Sequence, residues 1–309
     1  MSRSPGATVG GQAVIEGVMM RAPNKWAVAV RRPDGVIEAV THGLPRLSSR
    51  SRWARIPFIR GVLVLGESLS LGFRALSWSA AKAGTEEDGE VKRYQIVLSM
   101  VFALAFFVAV FMVVPLAAAR GMEHVWGDSA ILFNVVDGVI RVGLFVGYIW
   151  LIGRSKEIRR VFAYHGAEHK TIWAYEAGDP LTLESIQRYS PRHPRCGTNF
   201  LMIVVLIALV AFTMVGRPSW PWLITSRVVG IPVIAGLAYE VLKIGADRKW
   251  LHFLAIPGLW LQALTTGQPE DDQVEVAVAS LLASLDPAER EGVEGRGPIV
   301  AGALEAEYT

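Results

Sequence analysis

Residues 94–119 run for 26 positions without a charge, bracketed by Arg93 and Arg120. As a helix, at about 1.5 Å per residue, this run crosses a hydrocarbon core of roughly 30 Å with residues to spare. Composition agrees: 52% hydrophobic residues, 19% charged residues and a mean hydropathy of +0.35 exclude both disorder and an ordinary soluble domain. A second run, 129–153, is apolar except for Asp137 and Arg141, which lie four apart on one helix face. Residues 197–216 are uncharged, and 220–244 are interrupted by Arg227, Pro232 and Glu240, as in a helix that faces protein. Residues 61–82, with Glu67 and Arg74, and 250–269, with Pro257, are weaker and read as interfacial or re-entrant helices. The expected fold is an α-helical polytopic membrane protein with about four transmembrane helices, interfacial helices and a small N-terminal antiparallel β element.

Charge sets an orientation. With a cytoplasmic N-terminus, the inside segments hold 14, 8 and 5 Lys and Arg residues (1–93, 154–198 and from 243 on), and the outside loops hold only Arg120 and Arg217. Both termini and the 154–198 loop are therefore expected in the cytoplasm. No removable signal peptide is expected, because no charged start leads into an apolar core and cleavage site. The net charge of +3 conceals a basic front and an acidic end, with 2 basic against 10 acidic residues in 270–309. The basic front suits an anionic lipid surface, and no nucleic-acid motif accompanies it, so lipid headgroups are the expected partner and nucleic acid is not. A single cysteine, Cys196, excludes an internal disulfide framework.

Residues 1–45 read as a small β-rich region, with strands at 12–20, 26–32 and 36–41 and a tight turn at Arg32-Pro33-Asp34-Gly35. Residues 46–93 comprise an arginine-rich stretch, an interfacial helix and an acidic linker. Helix pairs at 94–153 and 199–245 flank the 154–198 loop. Residues 246–286 hold the second interfacial segment and an amphipathic cytoplasmic helix carrying Val274, Val278, Leu281, Leu282 and Leu285. The Gly- and Glu-rich tail, 287–309, is expected to be disordered.

The strongest chemical signal is Tyr164-His165-Gly166-Ala167-Glu168-His169-Lys170. On a helix, His165 and His169 project from one face and can grip one ion, with Glu168 beside them as a base. The order is that of the inverted zinc-peptidase motifs. Three of the six histidines fall within 165–193. Glu176, two turns beyond His169, and His193 are candidate further ligands, with Cys196 and Glu240 in second place. Against this stands a plain helix face whose imidazoles are satisfied by backbone or acidic partners. Arg192 and Arg195 are candidates for a substrate anion or lipid headgroups. Asp137, Arg141 and Arg227 lie within apolar runs, where a structural ion pair is the simplest account. Glu16 and Glu67 are isolated carboxylates in apolar surroundings.

Four blocks together are familiar: GGQAVIEGVMMR at 10–21, the 165–170 block, HPRCGT at 193–198, and Leu264-Thr265-Thr266 followed by Gln273-Val274-Glu275-Val276-Ala277. In this order, over roughly residues 9–285, the chain closely resembles the YqhQ family of bacterial membrane proteins. That family is a domain of unknown function commonly described as predicted metal-dependent enzymes. The resemblance implies the bacterial inner membrane and brings the N-terminal sheet into the functional unit, but it supplies no reaction.

The leading expectation is a metal-dependent hydrolase, conceivably a peptidase, at the cytoplasmic membrane face. Zinc is the first candidate ion, although nitrogen and oxygen ligands alone do not separate it from manganese or iron. A non-catalytic scaffold or assembly factor is the alternative. A small transporter using Asp137, Arg141, Arg227 and Glu240 is the third reading, weakened by the few spans and the lack of an inverted repeat.

Overall fold

The structure, a computed structural model, describes residues 8–44, 56–84, 93–121, 129–215, 220–247, 253 and 255–308. Strands β1 (Gly10–Val14), β2 (Gly17–Arg21), β3 (Lys25–Arg31) and β4 (Ile37–Gly43) form an antiparallel meander. The single strand expected at 12–20 is in fact the β1–β2 hairpin. Val14 pairs with Gly17 across Ile15 and Glu16, and Glu16 takes a left-handed φ of 52°. Between β3 and β4, Gly35 turns the chain at φ 87° and its N–H donates to the Arg32 carbonyl at 2.9 Å.

The helices are α1 (Ile59–Ala83), α2 (Arg93–Val108), which continues through a π turn (Ala109–Val113) into α3 (Val114–Gly121), then α4 (Ala130–Ile152), α5 (Lys156–Ala177) and α6 (Leu183–Gln187). They are followed by α7 (Gly197–Val215), α8 (Trp220–Asp247), α9 (Ile256–Thr265), α10 (Asp271–Ser284), α11 (Pro287–Glu294) and α12 (Ala301–Leu304). A last strand, β5 (Glu307–Tyr308), pairs parallel to β4 and completes a five-stranded sheet in the order β1-β2-β3-β4-β5.

Strand alternation sorts the sheet's two faces. Trp26, Val28 and Val30 of β3 pack on Leu71 and Ala75 of α1. The intervening Ala27 and Ala29 share the opposite core with Tyr164 and Ala167 of α5 and Val274, Val278 and Leu281 of α10. The small alanines admit α10 closely enough for Ser280 Oγ to donate to the Ala27 carbonyl at 3.3 Å. Where the sequence pattern implied one apolar face, α10 is instead buried along most of its length from Gln273 to Ser284. The tail is likewise not disordered: α12 packs on α10, β5 pairs with β4, and Val293, Val300 and Ala303 are buried in the shared core. Arg296 donates to the Tyr175 carbonyl at 2.8 Å, and Tyr308 Oη donates to that of Ala303 at 2.8 Å. A few well-placed apolar residues outweigh the tail's Gly- and Glu-rich composition.

Among the described residues three helical stretches, not four, are long and apolar enough to cross a membrane: Val101–Gly121, Ile131–Ile152 and Gly197–Met214. Their large apolar side chains point outward, with Phe102 70% exposed and Met214 83% exposed, as in segments solvated by lipid. The fourth expected span is the 28-residue α8, which contains Pro232 and carries Arg227, Glu240, Lys243 and Asp247. The expected 61–82 segment is contained in α1, whose Gly61 fits against Gly236 and Tyr239 of α8. Ten-residue α9 extends about 15 Å, half of a bilayer core. The arginine-rich stretch at 45–55 and the acidic linker at 85–92 lie outside the described residues.

Candidate metal centre

Helix α5 begins at Ser155, whose side chain accepts from the Ile158 N–H at 3.2 Å, and ends at Gly178 with φ 75°. Between these caps His165 and His169 stand one turn apart, ring centroids 4.4 Å from each other. Each ring is fixed from behind. His165 Nδ1 lies 2.9 Å from the Thr265 carbonyl of α9, and His169 Nδ1 lies 2.7 Å from the Pro191 carbonyl. A carbonyl only accepts, so both Nδ1 atoms carry the proton and both Nε2 atoms present a lone pair. This is how metal-binding imidazoles are oriented by outer partners.

The third member is Cys196. It directly precedes α7 and occupies the N-cap position, where its Sγ accepts from the Thr198 N–H at 3.4 Å and the Thr198 hydroxyl at 3.2 Å. Sγ lies 3.2 Å from His165 Nε2, and candidate ligand atoms of His165, His169 and Cys196 all fall within 4.8 Å of one another. His169 Nε2 is buried without a hydrogen-bond partner among the described residues, a cost that a bound ion would remove. This donor set fits a divalent ion with one coordination position left open.

His193 and Glu176 are placed differently. His193 Nδ1 accepts from the Arg195 N–H at 3.3 Å, so Nε2 carries the proton, and it faces Glu176 Oε2 at 3.6 Å. Glu176 also pairs with Arg195. The His193 ring lies beside the centre, its centroid 5.8 Å from that of His169, with Trp173 edge-on at 4.5 Å. Arg192 is exposed, and its carbonyl accepts from Trp173 Nε1 at 2.9 Å. Glu240 is engaged elsewhere, with Arg60 of α1 at 2.5 Å.

Glu168 is 3% exposed and packs against Gly11 of β1. A Cβ on Gly11 would lie 3.1 Å from the Glu168 side chain and run into the Met19 carbonyl, so only glycine lets the carboxylate sit there. Burial pushes Glu168 up to about 7, against the pull of His165, His193 and the Gly11 N–H. Its Oε2 has no hydrogen-bond partner among the described residues. Burial also pushes His193 down to about 4 and holds His169 below its ordinary value, so both imidazoles are neutral near pH 7. Neutral rings are the form that ligates metal.

The remaining candidates are structural. Asp137 pairs with Arg141 at 3.0 Å, Glu16 with Arg160 at 2.6 Å and Glu67 with Arg21 at 3.4 Å. Arg227 lies on α8, and its side chain is outside those described. The sequence reading passed over Gln262, fully buried on α9. Gln262 Oε1 accepts from the His193 N–H at 2.8 Å, while Nε2 donates to the His193 carbonyl at 2.9 Å and to Asn199 Oδ1 at 3.2 Å. This clamp sets the loop that brings Pro191 and Cys196 to the histidines. Its only sequence signal was proximity to the Leu264-Thr265-Thr266 block.

Outward-facing apolar helices joined to a layered α/β body with a His/His/Cys centre place the chain in the class of helical membrane proteins that carry a folded site. A family model described as "Protein of unknown function (DUF1385)" matches residues 56–286. "Uncharacterized protein YqhQ" of Bacillus subtilis (strain 168) is 34% identical over 291 residues, covering 88% of this chain and 90% of its own. The chain belongs to this YqhQ family of proteins of unknown function. No solved structure matches it.

Proposed function

We propose that this chain is a metal-dependent membrane enzyme with hydrolase-type chemistry, working at the cytoplasmic face of the bacterial inner membrane. His165, His169 and Cys196 hold the ion. A sulfur ligand makes zinc a better match than magnesium or manganese, which prefer oxygen ligands. The observation that carries this reading is the matched pair of Nδ1–carbonyl bonds, which aim two Nε2 lone pairs toward one thiol. A bound divalent ion supplies Lewis-acid activation of water or of a substrate carbonyl. Glu168, poised near neutrality in a dry setting, takes and returns the proton. Arg192, exposed beside the loop, binds an anionic substrate group or headgroup. Purified wild type is expected to carry stoichiometric metal, and a His165→Ala, His169→Ala double variant none. Equal, near-zero metal in both proteins would overturn the proposal. Glu168→Gln is expected to retain metal and lose function in vivo; full function would favour the scaffold reading.

The same proposal assigns four crossings. The N-terminal sheet, α5 and α10 pack into one body, so an even number of crossings must separate each from the next. Crossings by the α2–α3 stretch and by α4 satisfy this before α5. After α5, a crossing by α7 requires α8 to return, and its 28 residues extend about 42 Å. The loops holding Arg120 and Arg217 then lie outside, and both termini lie in the cytoplasm.

A further inference from the structure

Helix α1 covers the sheet through Leu71 and Ala75 but leaves uncovered the corner where β3 begins and β4 ends. A cleft of about 420 Å³ opens there, a volume typical of small-molecule sites. Its floor is the buried Trp26 and Val28, its sides are the half-buried Val40 and Trp78, and His42, Gly43 and Arg74 are exposed at the rim. His42 is paired with Trp26 across the strands, ring centroids 4.7 Å apart, which leaves the indole as a flat, apolar floor.

Charge in the cleft has one sign. Among the described residues no carboxylate lines it. The nearby Glu38 is engaged by Lys82 at 2.7 Å and Arg32 at 3.3 Å. Arg74 has no ion-pair or hydrogen-bond partner among the described residues, unlike Arg21, Arg31, Arg32 and Arg60, which all hold acids. A guanidinium at the mouth of a cleft walled by two indoles and two valines matches a molecule with an anionic head and an apolar body.

We infer that this cleft binds an anionic amphiphile, with its acidic head on Arg74 and its apolar body against Trp26, Val28, Val40 and Trp78. The site is independent of the metal centre. The test uses the full chain in phosphatidylcholine nanodiscs containing either brominated phosphatidylglycerol or brominated phosphatidylcholine. The readout is quenching of the emission that Trp78→Phe removes. The anionic lipid is expected to quench at concentrations about tenfold lower, the value of one charge-assisted phosphate contact, and Arg74→Gln is expected to erase the difference. Equal quenching by both lipids, or a preference that survives Arg74→Gln, overturns the inference. Hexyl phosphate added from the aqueous side is expected to compete, which would show that the same chemistry is accepted from solution. Inorganic phosphate competing equally well would reduce the cleft to a bare anion site and overturn it.

Discussion

His193 is held by its backbone, through an amide side chain that comes from 69 residues downstream. Replacing Gln262 with Leu leaves the His193 N–H and carbonyl unpaired in a dry site, at about 1–3 kcal/mol each. The loop carrying Cys196 then loses its fixed position, and affinity for cobalt is expected to fall about 10- to 100-fold. Loss of the sulfur-to-cobalt absorption at saturating metal would separate this effect from general destabilisation. Glu168 adds a pH signature to the metal-free protein. Its carboxyl titrates near 4.5 when unfolded and about 7 when folded. Rising pH in that window therefore strips a proton from the unfolded chain that the folded chain keeps, and stability falls, by about 3 kcal/mol once above 7. Glu168→Gln should match wild type near pH 4.5 and exceed it increasingly up to pH 7 in thermal unfolding. His193 acts in the opposite sense, its contribution being lost as pH falls from 6.5 toward about 4. The histidine pair was legible because a four-residue spacing fixes a shared helix face. Cys196 was undervalued because a lone thiol in a proline-rich loop has no periodicity to announce it, and Gln262 was missed because a neutral amide leaves no local pattern.

At the scale of elements, hydrophobic periodicity located the helices well but misjudged how many sides of each are covered. Helix α10 showed one apolar stripe, yet its serines and alanines are buried too, because small residues permit close packing on the sheet. The tail was misread for a related reason: its glycines and glutamates outnumber the few apolar residues that anchor it. Deleting residues 287–308 would expose the surface that Val293, Val300 and Ala303 cover. At about 1.5–3 kcal/mol for each buried valine, the truncated protein should lose about 3–6 kcal/mol. Chemical unfolding in mild detergent measures this, and an unchanged midpoint would mean that the tail contributes nothing.

For the whole molecule, the long uncharged runs identified the membrane character at once, whereas the number of crossings depends on tertiary contacts. Helix α8 is ambiguous by composition, because Arg227 and Glu240 depress its hydropathy, and the packing of the sheet with α5 and α10 carries the parity argument for it. In a Cys196→Ser background, single cysteines at Arg120 and Arg217 are expected to react with an impermeant thiol reagent in whole cells. Cysteines at Glu157 and Glu289 are expected to react only after permeabilisation. Labelling of Glu289 in intact cells would place the tail outside and overturn the four-crossing arrangement.

The bond between His165 and the Thr265 carbonyl spans 100 residues, and β5, the final strand, closes on β4. During synthesis His165 therefore emerges and waits, without its orienting partner, while α7 and α8 are made. The cluster is complete only once α9 has cleared the ribosome, and the sheet is finished only after β5 has followed. Under the proposed function metal loading would therefore come late in synthesis, and a product stalled before α9 would have no formed site with which to sequester an ion.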